Sequence, residues 1–183
     1  MKKKKNITQK IEILKDINLV INKNIIILEY KGKEIKRKLY YPGIHIRDEN
    51  NTMIISSEKN SRNEKKIINT YKAHIKNMIR GLVEGYTYKL KICSSHFPMN
   101  VSLDNNKLII KNFFGEKVPR KAKILEGVDV KIEGDIITVT GVDKEKVGQT
   151  SANMEKSTRI TNRDRRVFMD GIYIIDKGGR KIH

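Results

Sequence analysis

The sequence predicts an α+β protein built from two tandem homologous domains, each a small, mainly antiparallel sheet packed by one helix. The first observation is an internal repeat: residues 25–43 (IIILEYKGKEIKRKLYYPG) reappear, much altered, as residues 108–127 (LIIKNFFGEKVPRKAKILEG). Gly32 aligns with Gly115, 83 residues later, and Gly43 aligns with Gly127, 84 residues later. A period this long indicates two similar domains and not a solenoid of short repeats. Alternating strand patterns and a long amphipathic helix are the second and third observations.

The first half alternates apolar and polar residues at period two, as half-buried strands do. The pattern predicts strands at residues 11–14 and 17–21, then at 25–30 after a turn at 22–24, and at 34–41 after a turn at 31–33. Residues 44–47 and 52–56 are predicted to form a hairpin. Together these segments predict a short antiparallel meander.

The period then changes to that of a helix, predicted over about residues 61–81. Ser61 and Glu64 have the spacing of a capping box, in which the serine oxygen accepts a free amide and the glutamate reaches back to the serine amide. Gly81 and Gly85 are the expected stops. The apolar positions recur at three and four: Ile67, Ile68, Tyr71, Ile75, Met78, Ile79 and Leu82.

The second half repeats this order of strands, and a helix follows from about Lys144 to Ser157. Asp143 is the expected cap, and Val147, Ser151 and Met154 are expected to face inward. We therefore place the domains at residues 1–84 and 85–183. Residues 158–183 have no counterpart in the first half and are predicted to form a basic C-terminal extension.

The charge is strongly one-sided, with 39 Lys and Arg against 21 Asp and Glu, a net charge of +18. Repulsion among so many positive charges destabilises a compact state. A polyanionic partner is therefore the simplest explanation for the excess of positive charge. Nucleic acid, an anionic membrane surface and an acidic protein all remain open on this ground, as does compositional drift. The lysines at 2–5 are typical of a disordered tail that seeks phosphates. No apolar run is long enough to span a membrane.

No reaction centre is apparent, and the sequence predicts no catalytic residue, no metal site, no cofactor and no small-molecule substrate. Cys93 is the single cysteine, which excludes disulfides and thiolate metal sites within the monomer. The phosphate-binding loop pattern of nucleotide hydrolases is missing. The histidines lack metal-ligand spacing: they are His45, His74, His96 and His183.

Clustered cations in the second half are the predicted binding residues. Arginine forks suit phosphate oxygens, and neighbouring glycines let the backbone approach a sugar–phosphate strand. Aromatic residues make up 6% of the chain and tryptophan is absent, which argues against a stacking platform for single strands and favours recognition of folded RNA. The clusters are Arg120, Lys121 and Lys123; Arg159, Arg163, Arg165 and Arg166; and Lys177, Arg180 and Lys181. His96 either stacks on a base or caps its turn.

Four blocks in order resemble the universal large-subunit ribosomal protein six family, in its eukaryotic–archaeal branch. They are residues 72–86 (KAHIKNMIRGLVEGY), 95–100 (SHFPMN), 110–117 (IKNFFGEK) and 162–173 (NRDRRVFMDGIY). The first 70 residues match mainly in pattern. Their hairpin is reduced to residues 31–33, and residues 57–63 replace a segment that carries tryptophan in the family.

The resemblance implies a structural, non-enzymatic protein bound to large-subunit ribosomal RNA near the sarcin–ricin stem and the landing site of translation factors. It also implies neighbouring ribosomal proteins as partners, no membrane, and a cytoplasmic ribosome, with assembly in the nucleus if the source is eukaryotic. It extends the predicted RNA-binding set to His96 and Lys117. Two other classes remain: a basic adaptor that binds an anionic membrane or acidic protein through the amphipathic helix, and a metal-dependent nuclease.

Overall fold

The computed structural model describes residues 7–14, 16–49, 52–164 and 166–182. The chain divides into two compact units, Met1–Glu84 and Gly85–His183. The lysines at 2–5, predicted to be a tail, lie outside the described residues.

The first unit contains two three-stranded antiparallel sheets and one helix. One sheet has the order β2–β3–β4 and the other has the order β1–β6–β5. Strand β1 therefore pairs with β6, the last strand before the helix, and the predicted single meander is wrong. The alternation of apolar and polar residues predicts which face of a strand is buried, but it does not determine which strand pairs with it. The elements are β1 (Ile7–Glu12), β2 (Asn18–Asn22), β3 (Ile25–Tyr30), β4 (Lys33–Lys38), β5 (Ile44–Glu49), β6 (Thr52–Ser57) and α1 (Arg62–Val83).

Helix α1 covers the first unit with its apolar face. It contacts β1, β3, β4 and β6. Ser61 accepts a hydrogen bond from the Asn63 amide at 3.2 Å, and Glu64 accepts one from the Ser61 hydroxyl, where the capping box predicted the Ser61 amide. Gly81 is buried inside the helix and does not end it. The residues buried on this face include Ile68, Tyr71, Ile75, Met78 and Leu82.

The second unit repeats this arrangement and adds two strands. A three-stranded sheet has the order β8–β9–β10, and a five-stranded sheet has the order β11–β12–β7–β13–β14. The elements are β7 (Tyr86–Cys93), β8 (Asn100–Asp104), β9 (Lys107–Lys111), a 3-10 turn (Phe113–Gly115), β10 (Arg120–Lys123), β11 (Val128–Glu133), β12 (Ile136–Gly141), α2 (Lys144–Ser157), β13 (Gly171–Lys177) and β14 (Arg180–Lys181).

Helix α2 has the predicted bounds, cap and buried face. The Asp143 side chain accepts a hydrogen bond from the Glu145 amide at 2.9 Å. Val147, Ser151 and Met154 are fully buried. The helix packs on β7, β10, β12 and β13, so both sheets of the unit share one core beneath it.

The duplication is visible in the backbone as well as in the sequence. Gly32 and Gly115 both have φ of +76°, and Gly43 and Gly127 have φ of +81° and +80°. Glycine adopts these left-handed values without the steric cost of a Cβ, so the repeat keeps it at the turns. The fold class, α+β with two tandem sheet-and-helix domains, is confirmed.

The segment 158–183 is more than an extension. Its strand β13 pairs with β7 along most of its length, from Gly171 opposite Cys93 to Lys177 opposite Tyr88. Ile172 in this strand is fully buried. Within the described residues, no helix is long and apolar enough to cross a membrane.

Candidate nucleic-acid interface

Three loops of the second unit meet at one end of its five-stranded sheet. They follow β7, β9 and α2. Asn112 in the second loop donates a hydrogen bond to the carbonyl of Pro98 in the first, at 3.0 Å. The rings of His96 and Phe168, from the first and third loops, have centroids 5.0 Å apart. Residues far apart in the chain therefore share one surface.

A buried carboxylate, Asp170, holds the first loop against the third. It is 3% exposed. It accepts hydrogen bonds from the amides of Ser95 at 2.6 Å and His96 at 3.0 Å, from the Ser95 hydroxyl at 3.0 Å and from His96 Nδ1 at 2.6 Å. Burial by itself raises the pKa of Asp170, but the hydrogen bonds from His96 and Ser95 outweigh it and lower this pKa to about 2. The carboxylate is therefore ionised at neutral pH.

The same contact places a ring proton of His96 on Nδ1. A carboxylate only accepts hydrogen bonds, so Nδ1 must carry the proton that it shares with Asp170. Among the described residues, Nε2 of His96 has no hydrogen-bond partner. The side chain is 38% exposed, so a polar edge of the ring remains available at the surface.

Aromatic rings line this end of the unit. Phe114 meets Phe113 edge-on at 4.9 Å between centroids and Phe168 at 5.9 Å. The Arg163 guanidinium lies over both Phe114 and Phe168, at 5.4 and 5.0 Å from their centroids. The attraction between a cation and a ring face favours this position of the exposed Arg163 side chain.

Arg120, a predicted RNA ligand, is engaged by the protein itself. Its guanidinium donates to both Glu116 carboxylate oxygens at 2.6 and 2.7 Å, and to the carbonyl of Ser157 at 2.9 Å. It also lies 4.2 Å from the centroid of Phe113. The hydrogen bond from Arg120 lowers the pKa of Glu116; burial opposes this effect, and the Arg120 charge adds to it. These contacts give Arg120 a structural role, and its predicted RNA contact stays a prediction.

The other predicted cations of this region are exposed. Lys121 and Lys123 lie on one face of β10, opposite the buried Ala122. A hydrogen bond of 3.3 Å from Arg120 to the carbonyl of Arg159 brings the first two cation clusters together. Lys117, Arg159 and Arg163 are also exposed and, within the described part of the chain, form no salt bridge.

Arg166 has an acidic partner close by in sequence. Its side chain is 90% exposed and donates to Asp164 at 2.9 Å. This hydrogen bond lowers the pKa of Asp164 and raises the pKa of Arg166. Arg165, also a predicted ligand, lies outside the described residues.

The third cation cluster lies elsewhere on the unit. Lys177 and Arg180 pair across the turn that joins β13 to β14, and Gly179 in this turn donates to Asp176 at 2.8 Å. Lys177 pairs with Tyr88, five residues from Cys93 at the other end of the β7 ladder. At 3.3 Å per residue the two ends are about 17 Å apart. The third cluster, with Lys181, therefore lies at the opposite end of β7 from the three loops.

Comparison with known proteins places these residues in a family. Residues 97–171 match the family model described as Ribosomal protein L6. The chain is 44% identical over 174 residues to "Large ribosomal subunit protein uL6" of Methanococcus vannielii, covering 95% of this chain and 96% of the relative. It is 42% identical over 171 residues to the protein of the same name from Methanobrevibacter smithii, with coverages of 93% and 96%. The chain belongs to the ribosomal protein L6 family. Its relatives fit the predicted eukaryotic–archaeal branch.

Membership in the L6 family agrees with the chemistry of the described residues. The family is structural and not enzymatic. No group of three or more potential metal-ligating side chains occurs among the described residues. The match to the family model begins at Phe97 and ends at Gly171, so it contains the aromatic residues and arginines of the loop end.

Sequence reasoning missed the groups that build the loop end of this L6 domain. Asp170 and the partner rings of Arg163 were not singled out, because their contacts join residues as much as 75 positions apart. The available signal was the pair of blocks SHFPMN and NRDRRVFMDGIY, which resemble the family but do not reveal that they touch.

Proposed function

We propose that this chain is held on large-subunit ribosomal RNA mainly by the exposed cations of its second unit, near the sarcin–ricin stem and the landing site of translation factors. Membership in the L6 family makes the chain a structural component of the large ribosomal subunit. The RNA position rests on the four resembling sequence blocks. Neighbouring ribosomal proteins are further partners in the proposal, and the cytoplasmic ribosome is its location.

One observation carries the proposal: cations without acidic partners at both ends of the second unit. Within the described residues they form no salt bridge, so their charge is not neutralised by the protein. Phosphates release condensed counterions when lysine or arginine binds them, which favours association at low salt. These residues are Lys117, Lys121, Lys123, Arg159, Arg163, Lys177, Arg180 and Lys181.

The adaptor hypothesis requires an exposed apolar face on α1. Tyr71, Ile75 and Met78 of that face are buried against the sheets of the first unit. Ile67 is half-buried. A membrane or an acidic protein would have to displace the unit's own core to reach this face.

Filter binding to protein-free large-subunit ribosomal RNA across a salt series tests the proposal. We expect log Kd to rise steeply with log salt, by roughly 0.7 to 0.9 for each phosphate neutralised. Changing Lys177, Arg180 and Lys181 to Ala should reduce the slope by about two to three if all three bind phosphates. The matched control changes Lys33, Lys36 and Lys38 of β4, three exposed lysines of the first unit.

A flat salt series would refute the mechanism, and equal losses in the two triple variants would refute the assignment to the second unit. The position on the RNA is tested separately by hydroxyl-radical footprinting. Protection close to the sarcin–ricin stem is expected, and protection confined to distant helices would contradict the placement.

A further inference from the structure

The chain has four phenylalanines, and all of them lie in the loops at one end of the second unit. We define the aromatic cluster as His96, Phe97, Phe114, Arg163 and Phe168. A Cβ placed on Gly115 would lie 3.9 Å from Cε1 of Phe97, so this ring lies close to the loop that carries Phe114. A low aromatic content over the whole chain therefore conceals a local concentration of rings.

The cluster is partly exposed, because the Phe97 ring lies at the surface whereas Phe114 and Phe168 are half-buried against the core. Phe97 is 47% exposed, and Val167 and Met169, on either side of Phe168, are 61% and 59% exposed. Phe113 is buried in the core behind them. Exposed apolar groups that lie together, rimmed by polar residues, mark binding surfaces.

The protein holds this surface in place before any ligand arrives. Asp170 fixes the loop that carries His96 and Phe97 through four hydrogen bonds. Arg163 is held over two rings. A surface ordered in advance loses little conformational entropy on binding, so its contacts contribute more fully to affinity.

The chemistry of the surface selects its occupant. Guanidinium planes and aromatic rings both stack on nucleobases, and bases in RNA become available where they are unpaired. The exposed Arg159, which has no acidic partner among the described residues, adds positive charge on the same loop and favours a polyanion over an apolar peptide. His96 Nε2 offers a hydrogen-bonding group at the edge.

We propose that the aromatic cluster binds one unpaired base of ribosomal RNA, with Phe97 and Arg163 as its stacking surfaces. This inference rests on the proposed RNA-binding function and adds base contact to it. The remaining second-unit cations act on phosphates, whereas this site acts on a base.

Affinity for protein-free large-subunit ribosomal RNA, measured with the full chain over a salt series, separates the two kinds of contact. Phe97→Leu keeps an apolar side chain but removes the ring, and Arg163→Lys keeps the charge but removes the plane. We expect each to weaken binding about 5- to 100-fold, the range of single-base stacking, with the salt slope unchanged. Phe97→Tyr keeps a ring and should weaken binding less than Phe97→Leu.

Lys177→Ala at the other end of the unit is the matched control. It should lower the salt slope by about one, as the loss of a phosphate contact does. Thermal melts of all variants check folding, and Phe97 is exposed enough that its replacement should leave the melt unaltered.

Three results would overturn the base site. Phe97→Leu and Arg163→Lys could bind RNA like the unchanged chain. Their losses could come with a reduced slope, which would make the contacts phosphate contacts. RNA affinity could also stay unchanged while retention on salt-washed subunits falls, which would assign the surface to a neighbouring protein. Failure of the unchanged chain to bind RNA would instead refute the proposed function, and the base site with it.

Discussion

Asp170 shows how one buried carboxylate organises a surface. Four donors from two consecutive residues converge on it, and their combined effect exceeds the cost of burial. Its position just before β13 ties the loop after β7 to the strand that pairs with β7. Removing the charge should therefore affect both stability and the exposed cluster.

The pH dependence of this group follows from its depressed pKa. The folded-state pKa of about 2 lies below the ordinary value of 3.8, so the stabilisation is fully present above about pH 4 and is lost as pH falls toward 2. A shift of this size corresponds to about 2 kcal/mol. We expect Asp170→Asn to lower the free energy of unfolding at pH 7, with a difference from the unchanged chain that shrinks between pH 4 and 2.

Urea unfolding of both chains at several pH values measures this difference. General acid destabilisation from the +18 charge affects both chains and cancels in the comparison. A difference that stays constant down to pH 2 would show that Asp170 stabilises by packing and not through its charge.

At the scale of elements, two glycines in and near α2 differ in the space that a methyl group would find. A Cβ on Gly141, at the end of β12, would lie 2.8 Å from Cγ2 of the buried Val147 and 3.1 Å from the carbonyl oxygen of Gly127. A Cβ on Gly148, inside α2, would meet its nearest atom, in the Tyr88 ring, at 3.8 Å. The first site lacks room for a methyl group, and the second has it.

Gly141→Ala should therefore destabilise the protein by about 1 to 3 kcal/mol through overpacking. Gly148→Ala should stabilise it by about 0.5 to 1 kcal/mol, because alanine loses less backbone entropy in a helix. Chemical denaturation of the pair provides the test, and changes of the same sign would contradict the packing described around α2.

Strand β13 makes the C-terminal segment part of the fold. A chain that stops after Asp170 lacks one of the two strands that pair with β7 and the fully buried Ile172, and we expect the second unit to lose its cooperative unfolding transition. A chain that stops after Lys177 keeps β13 and loses the short β14, so it should still unfold cooperatively. Circular dichroism melts compare the two, and a folded second unit in the shorter chain would show that residues 171–183 are dispensable.

At the scale of the whole molecule, each unit has its own helix, its own pair of sheets and its own buried residues. We therefore predict that residues 85–183 fold without residues 1–84. The amide spectrum of the isolated second unit should be well dispersed, as that of a folded domain is. A collapsed, poorly dispersed spectrum would show that the second unit depends on the first.

Patterns along the chain are enough to predict the repeat, both helices, the fold class and the family. These features are carried by local periodicity, by turn glycines at matching positions and by motif order, all of which can be read along the chain. The sequence also locates the cations, because charge is a property of composition and spacing.

Which of these features meet depends on contacts between distant segments of the folded chain. The pairing of β1 with β6, the insertion of β13 beside β7 and the convergence of Ser95 and His96 on Asp170 all join distant positions. Sheet pairing and side-chain networks depend on what the core brings together, and the strand pattern of one segment is compatible with several partners. For the same reason, Arg120 belongs to the protein's own packing, whereas Arg163 remains at the exposed surface.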